Sequence, residues 1–144
     1  MSLKFLLDTN VISELLRPAP NETMLEKFQL HQVEICIAAI VWHELLYGCY
    51  SLASSNKHTA IESFLFDVVA PSIPILPYDK NAAHWHAMER ARLMGIGKTP
   101  SFVNGQIAAI AKVNDLTLVS FNTSDFENFT ELHLLDWRNA TETP

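Results

Sequence analysis

Three acidic residues occupy positions that the solvated face of a helix does not explain. Asp8 ends the first apolar run, Glu44 lies inside the mostly apolar stretch IVWHELLYG, and Asp125 follows the apolar run LTLVS by a few residues. A carboxylate among apolar neighbours needs a partner, and clustered carboxylates raise one another's pKa unless a cation neutralises them. Hard oxygen ligands of this kind select Mg²⁺ or Mn²⁺, which can activate a bound water for attack on a phosphodiester.

Neutral polar side chains flank two of these acids. Thr9 and Asn10 follow Asp8, and Ser120 and Asn122 precede Asp125. Donors and acceptors of this type suit the orientation of a metal ligand or of a water molecule. We therefore expect these four residues to support the acids and not to bind a cation themselves.

Asn104 precedes the Ala-rich run GQIAAIA and has two interpretations. Its side chain can cap the following helix by accepting a hydrogen bond from a first-turn amide. Alternatively, it occupies a place where a carboxylate would complete the acidic group. The acids have ordinary explanations as well, since Asp8 can cap a helix and Asp125 can be a turn residue. Their joint placement favours a common site.

The spacing of hydrophobic residues predicts strands that alternate with helices along the chain. The loop GIGKTPS separates the last two predicted helices. The predicted strands are Lys4–Leu7, VEICIA, SIPIL, LTLVS and Glu131–Leu134; the predicted helices are Val11–Arg17, Asn21–His31, Ala39–Ser54, Asn56–Val69, Asp79–Met94 and Gln106–Val113. Asn21 and Asp79 are predicted to cap the helices that begin there.

This alternation indicates an α/β fold in which helices flank a central, mostly parallel sheet of four to five strands. In an open parallel sheet, the carboxyl ends of the strands share one edge, and the ligand crevice lies there. Asp8, Glu44 and Asp125 are therefore expected to converge on one rim. Asn104, at the start of a helix that feeds the sheet, is placed to join them.

Length and composition limit the possible classes of protein. A chain of 144 residues is expected to form one domain, and its formal net charge of −6 argues against a broad basic surface for nucleic acid. A divalent cation in an acidic pocket would still allow a polyanionic substrate to approach. With no apolar run of membrane-spanning length and no signal-peptide core, we expect a cytosolic protein. Cys36 and Cys49 are predicted to be buried thiols.

The chain resembles a PIN-domain ribonuclease of the VapC toxin type. The stretches LLDTNVISELL, AAIVWHELLYG, VNGQIAAIA and TLVSFNTSDF match that family's motifs in order, and the similarity spans essentially residues 1–144 as a single PIN-like domain. The resemblance implies a three-layer fold, an Mg²⁺ or Mn²⁺ pocket and endonucleolytic cleavage of RNA. It also implies a cognate antitoxin that blocks the site, a homodimer, and DNA contacts made only through the antitoxin.

The family pattern places pocket acids at Asp8, Glu44 and Asp125, together with an aspartate at the position of Asn104. This sequence departs from the pattern there. An amide has nearly the shape of a carboxylate but lacks its charge, so metal affinity and water activation should fall. We expect a chain that folds normally and cleaves poorly.

Two alternative functions share parts of this pattern. Phosphotransferases of the haloacid-dehalogenase type also place an Asp after the first strand, but this chain has Asn10 where they have a second acid, and Glu44 would have no role. A non-catalytic module that binds an antitoxin and helps it to repress a promoter is the second alternative.

The remaining ionisable residues are predicted to be structural or solvated. The six histidines lack the spacing of a zinc pair. Glu22, Glu26, Glu62 and Glu89 fall where solvated helix faces would place them. Arg90, Arg92 and Lys98 could guide RNA toward the pocket, but solvated helix charges are the better interpretation.

Overall fold

The computed structural model describes residues 2–139. A π-helical segment, Leu65–Val69, and a 3₁₀ turn, Thr123–Asp125, accompany the regular elements. In chain order the regular helices and strands are β1 (Phe5–Leu7), α1 (Thr9–Leu15), α2 (Glu22–Leu30), β2 (Ile35–Ala38), α3 (Ala39–Tyr50), α4 (Asn56–Phe64), α5 (Ala70–Ser72), β3 (Ile75–Leu76), α6 (Lys80–Gly95), α7 (Phe102–Val113), β4 (Thr117–Val119) and β5 (Leu134–Leu135).

The five strands form one parallel sheet with the order β3-β2-β1-β4-β5. β1 lies in the centre, where Phe5 pairs with Ile35 of β2 and Thr117 of β4. Every residue of β1 and β2 is buried, as expected for strands covered by helices on both faces. The predicted α/β class and parallel sheet are confirmed. Within residues 2–139, none of the helices combines the length and apolarity needed to cross a membrane.

Helix boundaries agree with the sequence where a local cap marks them. Asn21 and Asp79 cap α2 and α6 by accepting hydrogen bonds from Met24 N and Ala82 N at 2.9 Å. Each cap pairs with a first-turn amide that would otherwise have no partner, and this hydrogen bond stabilises the start of the helix. Both caps were recognisable from sequence, and both predictions are confirmed.

Other boundaries differ from the predictions. α7 begins four residues before Gln106, because Ser101 and not Asn104 is its cap. The last strand begins at Leu134 and not at Glu131, whose φ of 50° is incompatible with an extended strand. The predicted helix Asn56–Val69 changes to π-helical geometry at Leu65.

Glu89 on α6 does not lie on a solvated face, so that prediction is wrong. The residue is only 7% exposed, and its carboxylate forms an ion pair with Arg92 at 2.9 Å. The hydrogen bonds from Arg92, with smaller contributions from Thr130, outweigh burial and lower the pKa of Glu89 to about 2. Sequence periodicity missed this burial because Thr130 is 41 residues away.

The two free cysteines are buried, as predicted. Cys36 lies in β2, where its thiol donates to the carbonyl oxygen of Phe5 across a distance of 3.4 Å. Burial raises the pKa of Cys36 to about 12 and also raises the pKa of Cys49. Thiols held in this way remain protonated and unreactive at neutral pH.

α6 and α7 pack closely at Gly105. The ring of His86 lies against this glycine, and a Cβ atom built there would be 2.0 Å from His86 Nε2. His86 Nδ1 is 2.8 Å from the Tyr78 hydroxyl, which fixes the orientation of the ring. Burial lowers the pKa of His86, with a smaller effect from Arg90. The missing side chain at residue 105 therefore lets α7 approach α6.

Gly105→Ala should lower the free energy of unfolding by about 1–3 kcal/mol, because the new methyl group would overlap the His86 ring. Gly48→Ala in α3 is the matched control: nothing lies within 4 Å of a Cβ atom there, so we expect a gain of up to about 1 kcal/mol from helix propensity. Urea unfolding measures both. Equal stability of the two variants would show that α7 can shift without cost.

Candidate active site

Asp8 stands at the carboxyl end of β1, where the chain turns directly into α1. Its Oδ1 accepts from the backbone N–H of Thr9, and its Oδ2 accepts from the hydroxyl of Ser120, both at 2.8 Å. Its own N–H donates to the carbonyl oxygen of Val119 at 2.9 Å. Asp8 caps α1, as one sequence interpretation allowed, and also joins the ends of two neighbouring strands.

Glu44 lies in α3, which follows β2 without a connecting loop. The hydroxyl of Thr9 donates to Glu44 Oε1 at 2.8 Å. Because Thr9 also donates its backbone N–H to Asp8, this residue links the two carboxylates through a single amino acid. Asp8 and Glu44 are 36 positions apart in the sequence. Their connection through Thr9 agrees with the prediction that they meet at one rim.

The folded chain disfavours the negative charge on the carboxylate of Asp8. Burial is the main reason that its pKa is raised; hydrogen bonds from Ser120 and Thr9 oppose the shift, and the negative charges of Glu44 and Asp125 reinforce it. Asp125 therefore lies within electrostatic reach of Asp8. Among residues 2–139, the ion pairs involve none of these three acids. The three acids therefore concentrate negative charge at the rim, and no described side chain forms an ion pair with them.

Ser120 and Asn10 hold the loop that leads to Asp125. The Ser120 oxygen accepts from Asn122 N at 3.0 Å, and Asn10 Oδ1 accepts from Phe121 N at 3.3 Å. Asn10 Nδ2 approaches the Ser120 hydroxyl at 3.5 Å, near the limit of a hydrogen bond. Asn122 contributes its backbone N–H and is itself exposed.

Asn104 lies in the first turn of α7, where its N–H donates to the Ser101 oxygen at 3.1 Å. The interpretation of Asn104 as the helix cap is therefore wrong. Asn104 and Asp125 line one cavity of about 450 Å³. Thr9 and Glu44 line a different cavity of about 460 Å³. The candidate positions thus divide between two cavities, with Glu44 at one and Asn104 and Asp125 at the other. Asp8 is hydrogen-bonded to Thr9 of the Glu44 cavity and is subject to the charge of Asp125.

The donor set suits a small hard cation. Carboxylate oxygens with uncompensated charge are the ligands that Mg²⁺ and Mn²⁺ prefer, and Mg²⁺ commonly uses one or two protein carboxylates while keeping several waters. Within the described part of the chain, no three His, Cys, Asp or Glu side chains are grouped as ligands of one ion. The residues therefore fit a cation that is bound largely through water and are not arranged as a closed protein cage.

Three basic residues near this rim have different environments. Arg92 is paired with Glu89, and the Arg90 guanidinium lies 5.3 Å from the centre of the Phe102 ring. Lys98 lines the cavity that contains Asn104 and Asp125. The sequence favours solvated helix charges for all three. A partner distant in the sequence, such as Asn128, whose carbonyl oxygen accepts from Arg92, gives no signal in hydrophobic periodicity.

Comparison with known proteins places this chain in a family. The model of the PIN domain family matches residues 5–132, and the chain belongs to that family. The phosphotransferase alternative, which gave no role to Glu44, has no support from this match.

Within the family, the chain is similar to proteins named as toxins and endonucleases. It is 36% identical to Toxin FitB of Neisseria gonorrhoeae over 84% of this chain and 89% of that protein. It is 32% identical to the tRNA(fMet)-specific endonuclease VapC of Shigella flexneri over 94% of this chain and 98% of that protein. A solved structure of FitAB bound to an IR36 DNA fragment superposes with a TM-score of 0.88 at 29% identity, covering 96% and 98% of the two chains.

Asp8→Asn should be more stable than the parent chain at pH 7 in metal-free buffer. The folded state raises the pKa of Asp8. The free energy of unfolding therefore falls as the pH rises from the usual pKa of an aspartate to the raised pKa of Asp8 in the folded chain. Asparagine removes the charge and keeps an oxygen for the Thr9 amide. The advantage should vanish below about pH 4, where the unfolded chain also holds the proton. Urea titrations at a series of pH values measure it.

Asp136→Asn provides a control of opposite sign. The hydrogen bond from Arg138 is the main reason that the pKa of Asp136 is lowered, so its charge stabilises the fold at neutral pH. This variant should lose stability at pH 7. If both variants lost stability there, the charge on Asp8 would have to be compensated in the folded chain.

Proposed function

We propose that this protein is a divalent-metal-dependent endoribonuclease toxin that a cognate antitoxin neutralises. One observation carries the proposal: Asp8, which is bonded to Glu44 through Thr9, is buried at the carboxyl edge of the sheet within the field of Asp125, without a described cationic partner. Membership of the PIN domain family and similarity to proteins named VapC endonuclease and Toxin FitB support it.

Asp8, Glu44, Asp125 and position 104 would hold the Mg²⁺ or Mn²⁺ ion. When bound, the ion would supply activation of a water molecule and stabilisation of charge on the phosphodiester. Thr9 and Ser120 fix the orientations of the Glu44 and Asp8 carboxylates before any ligand arrives. Asn10 supports the same edge by accepting from the Phe121 amide. Preorganised carboxylates of this kind avoid the cost of ordering during the reaction.

Asn104 attenuates the activity in this proposal. Its amide oxygen can still coordinate, but the position lacks the negative charge that the family's aspartate supplies. Because Asp125 lines the same cavity, an aspartate at residue 104 would add a second carboxylate there. The formal charge of the chain would then change from −6 to −7.

The proposed partners follow from the same relatives. Toxin FitB is a relative, and FitAB has been solved on DNA. We infer a cognate antitoxin that covers the acidic rim, with promoter DNA contacted through the antitoxin because the toxin chain is acidic. A homodimer and a cytosolic site of action, where RNA is available, complete the proposal.

A non-catalytic role is the second candidate, and Asn104 is the observation that favours it. A PIN fold that lacks one acid could persist as a module that binds the antitoxin and assists repression. Retained antitoxin binding, without RNA cleavage by any form of the chain, would support this candidate over the nuclease.

Asn104→Asp should increase Mn²⁺-dependent cleavage of a structured RNA by about tenfold or more, because a carboxylate beside the cation raises metal affinity and water activation. Gel-based cleavage of a labelled RNA, with a Mn²⁺ titration, measures the effect. Asp8→Ala in the Asn104→Asp background should abolish the gain, which excludes a contaminating nuclease. Addition of the antitoxin should suppress the activity.

Equal cleavage by the parent chain and by Asn104→Asp would remove the ligand role of residue 104. Absence of cleavage in both forms, under conditions in which both are folded, would count against the nuclease function itself.

A further inference from the structure

Glu89 of α6 is a buried carboxylate whose hydrogen-bonding capacity is fully used. Oε1 accepts from Arg92 Nη2 at 2.9 Å and from the Thr130 amide at 2.7 Å. Oε2 accepts from Arg92 Nε at 2.9 Å and from the Thr130 hydroxyl at 3.0 Å. Arg92 Nη2 donates further to the carbonyl oxygen of Asn128 at 2.7 Å. We call these four residues, Glu89, Arg92, Asn128 and Thr130, the Glu89 clamp.

The clamp holds the segment that directly follows Asp125. Asn128 lies three residues after this acid and Thr130 lies five residues after it. Leu93, one residue beyond Arg92 on α6, lines the cavity that Asn104 and Asp125 also line. The clamp therefore ties one wall of this cavity, on α6, to another wall, on the loop.

The other contacts of this loop are mostly local or apolar. Asp125 N donates to Asn122 O, and Phe129 N donates to Phe126 O, at 3.0 and 3.2 Å. Phe126 and Phe129 are buried, so the loop is attached to the core. Apolar burial is not directional. A carboxylate that accepts four hydrogen bonds, two of them from one guanidinium group, fixes both the position and the orientation of the loop backbone.

Stability alone is a weak explanation of the clamp. A buried ion pair loses hydration, and well-packed apolar residues of similar volume are often as stable or more stable. What such a pair provides beyond apolar packing is a defined geometry. In this chain the defined geometry lies next to an acid of the proposed site.

We propose that Glu89 is a positioning residue that, through Arg92 and Thr130, holds the loop after the 3₁₀ turn so that Asp125 faces Asn104 across their shared cavity. This inference rests on the proposed function for its consequence in catalysis. Its structural content concerns only the order of residues 123–130 and the ability of Asp125 to contribute to cation binding.

Glu89→Gln tests the clamp by hydrogen exchange in the full-length chain. Glutamine is nearly isosteric, but it replaces one acceptor oxygen by a donor that faces donors. We expect amide exchange in residues 123–130 to accelerate about tenfold or more, while exchange in β2 and α3 stays unchanged, because the loss is local. Mn²⁺ alone, followed by electron paramagnetic resonance, should bind with an affinity weakened by about tenfold.

Glu34→Gln is the matched control. Glu34 also accepts from two partners, Lys4 and His31, each at 2.9 Å, but it precedes β2 at the amino end of the sheet, away from the acidic rim. It should leave the exchange of residues 123–130 and the Mn²⁺ affinity unchanged. If Glu89→Gln accelerated exchange uniformly, or left residues 123–130 protected, the positioning role would be refuted.

Thr130→Val provides a second test if Glu89→Gln does not fold. Valine retains the backbone amide and the approximate shape but removes the hydroxyl contact, so a smaller acceleration confined to residues 123–130 is expected. No local acceleration would overturn the proposal. Cleavage measured in the Asn104→Asp background separates the two claims: a locally loosened loop in a chain that never cleaves RNA would contradict the nuclease function and leave the clamp standing.

Discussion

The hydrogen bond from Ser120 to Asp8 is the contact on which the arrangement of the rim depends. It joins the ends of β1 and β4, which are adjacent in the sheet but 112 residues apart in the chain. Parallel strands place their carboxyl ends on the same edge, and this bond fixes how the side chains at that edge are oriented. Thr9 extends the connection to α3 through Glu44. These two hydrogen bonds restrict the orientations of the Asp8 and Glu44 carboxylates.

The same arrangement carries an electrostatic cost. Asp8 is buried near two other negative charges, and the described contacts of the three acids include no ion pair. Sites that bind cations are often destabilised in this way before the cation arrives, since strain at a functional site is supported by the surrounding fold. Asn104 reduces the negative charge on one side of the rim. Under the proposed function, this change favours a stable apoprotein over tight cation binding.

The sequence predicted those features that depend on neighbours in the chain or on strand order. Asn21 and Asp79 were recognisable as caps because each bonds an amide three residues later. The approach of Asp8 and Glu44 followed from the shared edge of parallel strands. The interpretation of Asn104 as a cap was wrong because α7 begins at Phe102 and its cap is Ser101. The burial of Glu89 was missed because its partners lie on a distant loop, and the division of the acids between two cavities depends on side-chain packing that spacing does not encode.

Cys36 gives the protein an internal chemical reporter. Its sulfur lies between the two strands at the centre of the sheet, and a thiol with a pKa of about 12 presents almost no thiolate to an electrophile at neutral pH. Alkylation then requires an opening of the core that exposes this buried sulfur. The labelling rate of this single atom therefore measures how often the core around β2 opens, without any probe having been introduced.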